Sequence, residues 1–444
     1  MTTPPLNNPD VLRVVVDYVA PTDFLFFALV SRNWRMAWGR RPAVTRVMPT
    51  SDTSVQQLHF SLECGAPRQD TQLCTAVARL GSLELMRCAR EHGCPWGASA
   101  PAAAAYEGHL DVVQYLALNA CPWDRTTCAF AAAGGHLAVL RWAFLYDCPW
   151  DARVSTAAAK KGRLDILRWA RLRGCPWDPT ACSVAAAAGH LDVLKWLREE
   201  GCPWDHTTCS SAARENHLGV LQWARGNGCP STVRTCAAAA KGGHLEVLRW
   251  AWANGCEWDE RTCAAIAGRG DLDALMWVRQ NGCPWDSSTC FSAALGGHLD
   301  VLRWARTSGC HWDQNTCSFA ASSGSLDCLQ WARNNGCPWS SIICGLAASK
   351  GHLAVLQWAR SNGCPWNCWT CTSAARGGRL EVLKWARLNG CPWDAQTCLM
   401  AAEWGHSEVL EWARSNGCEW ERDRCRAAAE REKHHHVLAW IDEN

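Results

Sequence analysis

Cysteine and histidine recur along this chain at a spacing that could bring metal ligands together. Cys202 is followed after six intervening residues by Cys209 and then by His217, and the same triplet returns many times. Thiolate and imidazole are preferred zinc ligands in proteins, so the pattern raises the question of a zinc site. The spacing argues against one, because structural zinc sites hold four ligands and their cysteines usually lie about two to four residues apart.

Several copies lack one of these candidate ligands. Pro101 and Ser155 stand where the second cysteine would be, and Arg163 and Asp271 stand where the histidine would be. A metal site rarely tolerates such losses, and serial disulfides are rare in proteins that stay inside a cell. Three interpretations remain, namely zinc ligands, serial disulfides and buried thiols. The sequence favours thiols that act as small apolar fillers, and we expect neither a metal nor another cofactor.

The cysteines belong to a larger unit that repeats every 27 residues, which accounts for 29 Cys and 29 Trp in a chain of 444 residues. A looser copy precedes the regular ones and another follows them, so we expect about fourteen repeats. The loop motif Cys-Pro-Trp-Asp, or a close variant, begins at Cys94, Cys121, Cys148, Cys175, Cys202, Cys229, Cys256, Cys283, Cys310, Cys337, Cys364, Cys391 and Cys418.

Each unit is predicted to fold as two helices. In one unit, an alanine-rich helix over residues 180–188 would be capped by Thr180 and would end at Gly189. A second helix over residues 190–200 carries apolar side chains over too broad a surface for packing on one side only. It must therefore be sandwiched between neighbouring units.

The recurring histidines follow a glycine at the predicted start of the second helix. This position indicates a turn and capping role rather than metal binding. The histidines concerned are His109, His136, His190, His217, His244, His298, His352 and His406. The cluster at residues 434–436 suits either metal adsorption or the polar face of a terminal capping repeat.

The stretch "GHLDVLKWLREEGCPWD" resembles the ankyrin repeat, with its Gly-His-Leu-Glu-Val-Val helix and its closing Gly-Ala-Asp. Ankyrin units are about 33 residues long. The missing residues fall where that family builds a projecting β-hairpin. The resemblance covers roughly residues 60–444. It implies an all-α, ankyrin-like helical solenoid with shortened hairpin loops and a role in protein–protein interaction.

The loop tryptophans suggest how units with short loops could hold together. A tryptophan can bury ~150–250 Å². Our hypothesis is that each loop tryptophan wedges between adjacent units and replaces the contacts of the missing hairpin. Ser231 stands where one of them would be and predicts a locally weaker joint.

The first 45 residues lie outside the repeat, and "DVLRVVVDYVAPTDFLFFALVSRNW" resembles the F-box. That resemblance implies docking to the Skp-type adaptor of a cullin-RING ubiquitin ligase, with the repeats holding the substrate. The alternative is a three-helix cap on the first repeat, although the amount of apolar surface favours an adaptor. The implied adaptor-binding residues are Leu12, Val15, Val16, Phe24, Leu25, Leu29, Val30 and Trp34.

These patterns divide the chain into an F-box-like domain (1–45), a connector or degenerate half-repeat (46–62) and a repeat array (63–444). Arrays of this Cys-Pro-Trp type joined to an F-box resemble proteins of giant DNA viruses and of some algae and protists. No motif of a nucleotide-binding loop, zinc protease, serine hydrolase or Rossmann domain is present, so we expect no enzyme.

The charge balance, 44 basic against 42 acidic residues, indicates neither a nucleic-acid nor a membrane partner. We expect a monomer in the cytoplasm, or in the nucleus, because no secretory leader or membrane-spanning run is apparent.

Positions that differ between copies are free to serve a partner. They concentrate after the loop aspartate and at the start of the first helix of each unit, on the side that ankyrin proteins usually use for binding, although neutral drift would also explain them. The predicted target-binding residues are Phe130, Phe291, Phe319, Ile342, Ile343, Trp369, Leu399, Met400 and Trp404.

Overall fold

The computed structural model describes residues 49–50, 53–63 and 71–444, and over these residues it contains helices and no strand. Helix α1 spans Val55–Glu63 and is followed by fourteen helix pairs. The first helices are α2 (Gln72–Leu80), α4 (Ser99–Glu107), α6 (Arg125–Gly134), α8 (Ala152–Lys160), α10 (Pro179–Ala187), α12 (His206–Arg214), α14 (Val233–Gly242), α16 (Glu260–Arg269), α18 (Ser287–Gly296), α20 (Gln314–Ser323), α22 (Ile342–Lys350), α24 (Cys368–Arg376), α26 (Ala395–Glu403) and α28 (Arg422–Arg431). The second helices are α3 (Leu83–Glu91), α5 (Leu110–Leu118), α7 (Leu137–Leu145), α9 (Leu164–Leu172), α11 (Leu191–Glu199), α13 (Leu218–Gly226), α15 (Leu245–Ala253), α17 (Leu272–Gln280), α19 (Leu299–Thr307), α21 (Leu326–Asn334), α23 (Leu353–Ser361), α25 (Leu380–Leu388), α27 (Ser407–Ser415) and α29 (His435–Glu443).

The helix pairs form two compact units. The first comprises the described residues up to Ala212 together with Gly219–Cys229, and the second comprises Ala213–Leu218 and Pro230–Asn444. Within each unit, first helices pack on the first helices of the neighbouring pairs, and second helices pack on second helices. This arrangement confirms the predicted all-α solenoid of helix pairs. None of the described helices has the length and apolarity needed to span a lipid bilayer.

Side-chain size explains why the layer of first helices is the more tightly packed of the two. Helix α10 buries only small residues, among them Ala181, Cys182 and Ala185, so neighbouring backbones can approach closely. Helix α11 buries Val193 and Leu194 instead, and its larger side chains hold neighbouring helices further apart. The repeated alanines and cysteines therefore set the spacing of one layer.

The start of most first helices differs from the prediction, as α10 shows. The Asp178 carboxylate, not the Thr180 hydroxyl, accepts the free amide, with the Thr180 nitrogen 2.9 Å from Oδ1. The Thr180 hydroxyl also donates to that carboxylate. The predicted threonine cap is therefore wrong, because aspartate in extended conformation at the position before the helix is better placed to accept from the second amide of the helix.

The glycine that follows most first helices behaves as predicted. Gly189 has φ of +78°, the left-handed conformation that ends a helix without a Cβ penalty. Most second helices end in the same way, with Gly201 at +81°. Two short helices joined by glycine turns therefore fit into 27 residues without a hairpin.

The loop tryptophan lies between the second helices of successive pairs. Trp204 faces Trp223 of the following second helix, with ring centroids 5.9 Å apart. The Arg198 guanidinium of the preceding second helix lies over the Trp204 ring, 4.3 Å from its centroid. Trp204 is half-buried rather than fully buried. This geometry matches the predicted wedge.

Candidate partner-binding face

The variable residues of the first helices share one helical face. In α6 the buried residues are Thr127, Cys128, Ala131 and Ala132, so positions 126, 129, 130, 133 and 134 point away from the core. This spacing places residues on one side of an α-helix. Eight of the nine predicted target-binding residues occupy positions equivalent to 126, 129, 130 or 134. Phe130, Ile342, Trp369 and Trp404 are exposed, whereas Phe291, Phe319, Leu399 and Met400 are half-buried.

Ile343 is the exception and is corrected here. Its side chain is fully buried, so no partner can reach it. It occupies the position of the buried threonines Thr316 and Thr370 in neighbouring units, which face the core of the stack. Variation at this position changes packing rather than surface chemistry.

Aromatic rings of this face contact one another across neighbouring first helices. Phe291 of α18 lies 5.0 Å from Phe319 of α20, measured between ring centroids. Tyr106 of α4 lies 6.0 Å from Phe130 of α6, edge to face. Tyr106 and Leu295 are exposed residues that the sequence prediction missed, although both occupy the variable position equivalent to 133.

Trp369 lies directly on a glycine of the neighbouring helix. A Cβ added to Gly345 would fall 1.8 Å from Cζ3 of the Trp369 ring, so only a glycine admits the ring here. The indole remains 42% exposed. The ring is therefore held in place on its inner side while its outer side stays available to a partner.

Trp404 ends this row of apolar side chains near two ionic groups. The Arg376 guanidinium lies 4.7 Å from the Trp404 ring centroid, a cation–π contact. Next to it, the Arg431 guanidinium forms a 3.1 Å ion pair with Glu403. We call the row in the second unit the aromatic face. It consists of Phe291, Leu295, Phe319, Ile342, Trp369, Leu399, Met400 and Trp404.

Few charges interrupt the aromatic face. At the positions equivalent to 126, 129, 130, 133 and 134 in α18, α20, α22, α24 and α26, the charged residues are Lys350, Arg376 and Glu403. The remaining positions there hold apolar, glycine, hydroxyl or amide side chains. The face therefore offers mainly apolar and aromatic contacts.

The cysteines pair differently from the sequence triplet. Cys202 interacts with Cys182 of its own unit's first helix, and this hydrogen bond and burial raise the pKa of Cys182. Ser155 replaces the first-helix cysteine in α8, and its hydroxyl lies 3.4 Å from Cys175 Sγ. The 28 cysteines of the described part of the chain are free thiols, and all except Cys368 are buried.

The Gly-His histidines do not cap their own helices, which corrects that part of the prediction. His352 precedes α23 without a side-chain cap bond, and its Nε2 lies 3.1 Å from the Ser322 carbonyl oxygen at the end of α20. His406 reaches the Arg376 carbonyl in the same way, at 3.1 Å. Burial lowers the pKa of His406, so its ring is neutral and Nε2–H can donate. His109 makes the equivalent bond to the Arg79 carbonyl at 3.1 Å, so these three histidines satisfy the helix end of the preceding pair.

The eight predicted adaptor-binding residues, from Leu12 to Trp34, lie outside the described residues. No description of their surroundings follows from the structure. The adaptor interpretation therefore stays a prediction from the sequence.

No protein-family model matches this chain, and no curated protein does so either. Solved structures of helical repeat proteins resemble it at low sequence identity. One is the pentatricopeptide repeat protein PPR10 in complex with an 18-nt psaJ RNA element, with 12% identity, a TM-score of 0.37, and coverage of 100% of this chain and 77% of that one. PPR10 from maize also matches, with 13% identity, a TM-score of 0.32, and coverage of 100% and 86%. The human ASB11 ankyrin repeat domain matches with 18% identity, a TM-score of 0.31, and coverage of 35% and 84%.

One expectation is contradicted by these comparisons. The net charge predicted no nucleic-acid partner, yet the matched PPR10 structure is described in complex with RNA. A net charge near zero describes the whole chain and not a particular face of it, so it does not exclude such a partner.

Proposed function

We propose that this chain is a binding scaffold whose aromatic face holds a protein partner, and that it does not act as an enzyme. One observation carries the proposal: the positions that vary between otherwise uniform repeats hold exposed or half-buried apolar and aromatic side chains on one face of consecutive first helices. The alanines and cysteines that recur between them are buried. Variation therefore concentrates where it does not disturb the stack.

The chemistry of the aromatic face suits a protein. Protein interfaces are enriched in Trp, Phe and Met and depleted in charge at their centre, and the aromatic face has this composition. Trp369 and Trp404 are the expected anchors, because large exposed indoles often dominate binding energy.

The F-box-like segment defines a more specific role. We place the chain as a substrate-recognition subunit, in which residues 1–45 dock on a Skp-type adaptor and the repeats present the target to a cullin-RING ubiquitin ligase. The support is the sequence resemblance of that segment. If the chain is of the giant-virus type, it would act in the host cytoplasm or nucleus. The alternative is a scaffold or inhibitor without a ligase, in which the N-terminal segment only caps the stack.

The aromatic face is tested by comparing two variants of the full chain. Trp369→Ala combined with Trp404→Ala removes both anchors, and Leu172→Ala combined with Leu388→Ala removes two leucines that are 85% and 86% exposed on second helices. Protein partners are identified by cross-linking and then purified for titration. We expect the tryptophan variant to weaken binding at least about 30-fold, which corresponds to about 2 kcal/mol, and the leucine control to bind normally.

The same variants decide between the classes of partner. A pool of single-stranded RNA is titrated in parallel. RNA binding that disappears in the tryptophan variant but not in the leucine control would identify an RNA-binding face and overturn the protein proposal. Equal protein binding by both variants would show that the aromatic face is not the binding site.

The ligase role is tested with purified Skp-type adaptor and the full chain. We expect binding at micromolar concentration that is lost in Leu25→Asp and unaffected in the double tryptophan variant. Absence of binding by the unmodified chain would reject the ligase role and leave the scaffold without a ligase.

A further inference from the structure

A cluster of three metal-ligating side chains lies where helix α1 meets the first helix pair. One ligand atom from each of His59, Cys88 and His92 lies within 4.8 Å of the other two. His59 belongs to α1, Cys88 to α3, and His92 follows α3 directly. The His59 and His92 rings contact each other edge to face, with centroids 4.7 Å apart. Among the described residues, this is the group of three His, Cys, Asp or Glu side chains whose ligand atoms lie close enough together to share one ion.

Cys88 departs from the repeat. Other second helices carry tryptophan at this position, for example Trp142 and Trp169, and the loop tryptophan that would face it is replaced by Gln69 in the sequence. The pair of tryptophans that joins other neighbouring helix pairs is therefore absent here, because both of its members are replaced. A thiol that is 4% exposed takes its place, facing α1 with Sγ 4.0 Å from the Val55 carbonyl oxygen.

His92 also differs from the residue type that most repeats carry at its position. Many units have asparagine here, and Asn119 donates from Nδ2 to the carbonyl four residues earlier at 2.8 Å. His92 makes the equivalent bond, with Nδ1 2.8 Å from the Cys88 carbonyl oxygen. The same Nδ1 lies 3.9 Å from the Cys88 Sγ. An imidazole can offer the lone pair of a ring nitrogen to a metal ion, which asparagine cannot. A backbone carbonyl that orients a histidine in this way is a common feature of metal sites.

We propose that His59, Cys88 and His92 bind one zinc ion, with water as the fourth ligand. One thiolate and two imidazoles are a typical zinc donor set, with Zn–N of about 2.1 Å and Zn–S of about 2.3 Å. Tetrahedral geometry at those lengths separates ligand atoms by about 3.4–3.6 Å. The side chains therefore need to close by about 1 Å, and His59 lies on the exposed side of the cluster. On binding, Cys88 loses its thiol proton to solvent, and the ion then links α1 to α3.

The site is independent of the proposed partner-binding function. The aromatic face lies in the second unit, and the three ligands lie in the first. Zinc here would replace the lost tryptophan pair as the element that fastens α1 to the array. Failure of either proposal leaves the other intact.

The test uses the full chain, reduced and stripped of metal with a chelator, and then titrated with Co²⁺ and Zn²⁺. Tetrahedral Co²⁺ bound to a thiolate gives a sulfur-to-cobalt charge-transfer band together with strong visible bands. We expect one such Co²⁺ per chain, displaced by Zn²⁺. The charge-transfer band should disappear in Cys88→Ala, and affinity for Zn²⁺ should fall at least about tenfold in His59→Ala and His92→Ala.

Two controls separate this site from the other potential ligands. Cys328→Ala removes a buried thiol elsewhere, and His435→Ala breaks the exposed C-terminal histidine cluster. Neither should alter the charge-transfer band. If the wild-type chain gives no band, or the band persists in Cys88→Ala, the proposal is wrong. Because His59 is exposed, His59→Ala leaves the fold intact, and unchanged Zn²⁺ affinity in that variant would overturn the proposed ligand set even if Cys88→Ala fails to fold.

Discussion

The aspartate of the Cys-Pro-Trp-Asp loop holds the start of the following helix. Asp205 accepts the Thr207 amide at 2.9 Å and also the Thr207 hydroxyl. The hydroxyl bond, together with the amide bond, lowers the pKa of Asp205. In one unit Asn367 replaces the aspartate and accepts a hydrogen bond from the Trp369 amide at 3.1 Å, so an uncharged side chain caps the helix at the same position.

This cap makes stability depend on pH in a defined direction. Since the folded-state pKa of Asp205 lies below its unfolded value of about 3.9, its stabilisation is complete above about pH 4 and is lost as pH falls through the folded-state pKa. We expect Asp205→Ala to cost about 1 kcal/mol of unfolding free energy at pH 7 and less at pH 3. Urea unfolding at both pH values measures the difference. Asp205→Asn is the control, and the contribution of its uncharged cap to the unfolding free energy should be the same at both pH values. If the cost of Asp205→Ala does not change with pH, the cap does not depend on the charge of the aspartate.

Gly345 controls the position of an exposed aromatic anchor. Alanine normally favours a helix over glycine by about 1 kcal/mol. Here we expect Gly345→Ala to give no such gain and to lower the melting temperature, because its methyl group would overlap the Trp369 ring. Gly268→Ala is the matched control, since its Cβ would meet Ser292 at an ordinary 3.5 Å. A gain in Gly345→Ala equal to that in Gly268→Ala, measured by thermal unfolding, would show that the ring does not depend on the glycine.

At the scale of the helix pair, the loop tryptophan joins elements that the short loop cannot join by itself. Trp177 lies 6.0 Å from Trp196 of the next second helix, and Arg171 of the preceding one lies 4.1 Å from its ring centroid. Trp285 and Trp304 repeat this geometry at 5.7 Å. Each loop tryptophan therefore contacts side chains from two successive second helices.

We expect Trp204→Ala to lower the unfolding free energy by about 2–3 kcal/mol, since the half-buried ring removes roughly 100 Å² from water. Ser231→Trp is the reciprocal change and should raise the melting temperature, because the added indole would face Trp250 at the spacing of the other pairs. Thermal unfolding and amide hydrogen exchange at each joint measure both effects. Unchanged stability in Trp204→Ala would refute the wedge.

At the scale of the whole molecule, buried cysteine side chains recur along the core of each of the two compact units. Burial raises the pKa of Cys74 to about 11 and that of Cys121 and Cys236 to about 12. These thiols stay neutral when folded, and their size matches the alanines that surround them. Cysteine therefore serves the core as a small apolar residue in nearly every pair.

The raised pKa values predict alkaline instability. Because the folded-state values exceed the unfolded value of about 8.5, the thiols' contribution is complete below that pH and is lost as pH rises toward about 11–12. We expect the unfolding free energy in the presence of reductant to decline steadily from about pH 9 upward. Urea titrations followed by thiolate absorbance measure it. Thiolates that form near pH 9 while the helices remain folded would contradict the prediction.

The sequence predicted the fold well because a 27-residue period leaves few ways to bury its apolar positions. Glycine and proline mark the helix ends by their backbone limits, and the alanine face requires a close neighbour. The face of variable residues also follows from helical periodicity, apart from Ile343, which faces inward. Such features depend on neighbours within about one turn of helix.

The remaining features were decided only by tertiary packing. Cys202 meets Cys182 rather than Cys209, and His352 serves a helix end thirty residues away, because stacking brings equivalent ends of successive pairs together. The cluster of His59, Cys88 and His92 likewise exists only because α1 packs on α3. Sequence by itself determined the period, the helices and the candidate face, since these are local or repeated. The stacking of helix pairs decides which distant side chains come into contact, because that stacking depends on the volumes of the packed side chains.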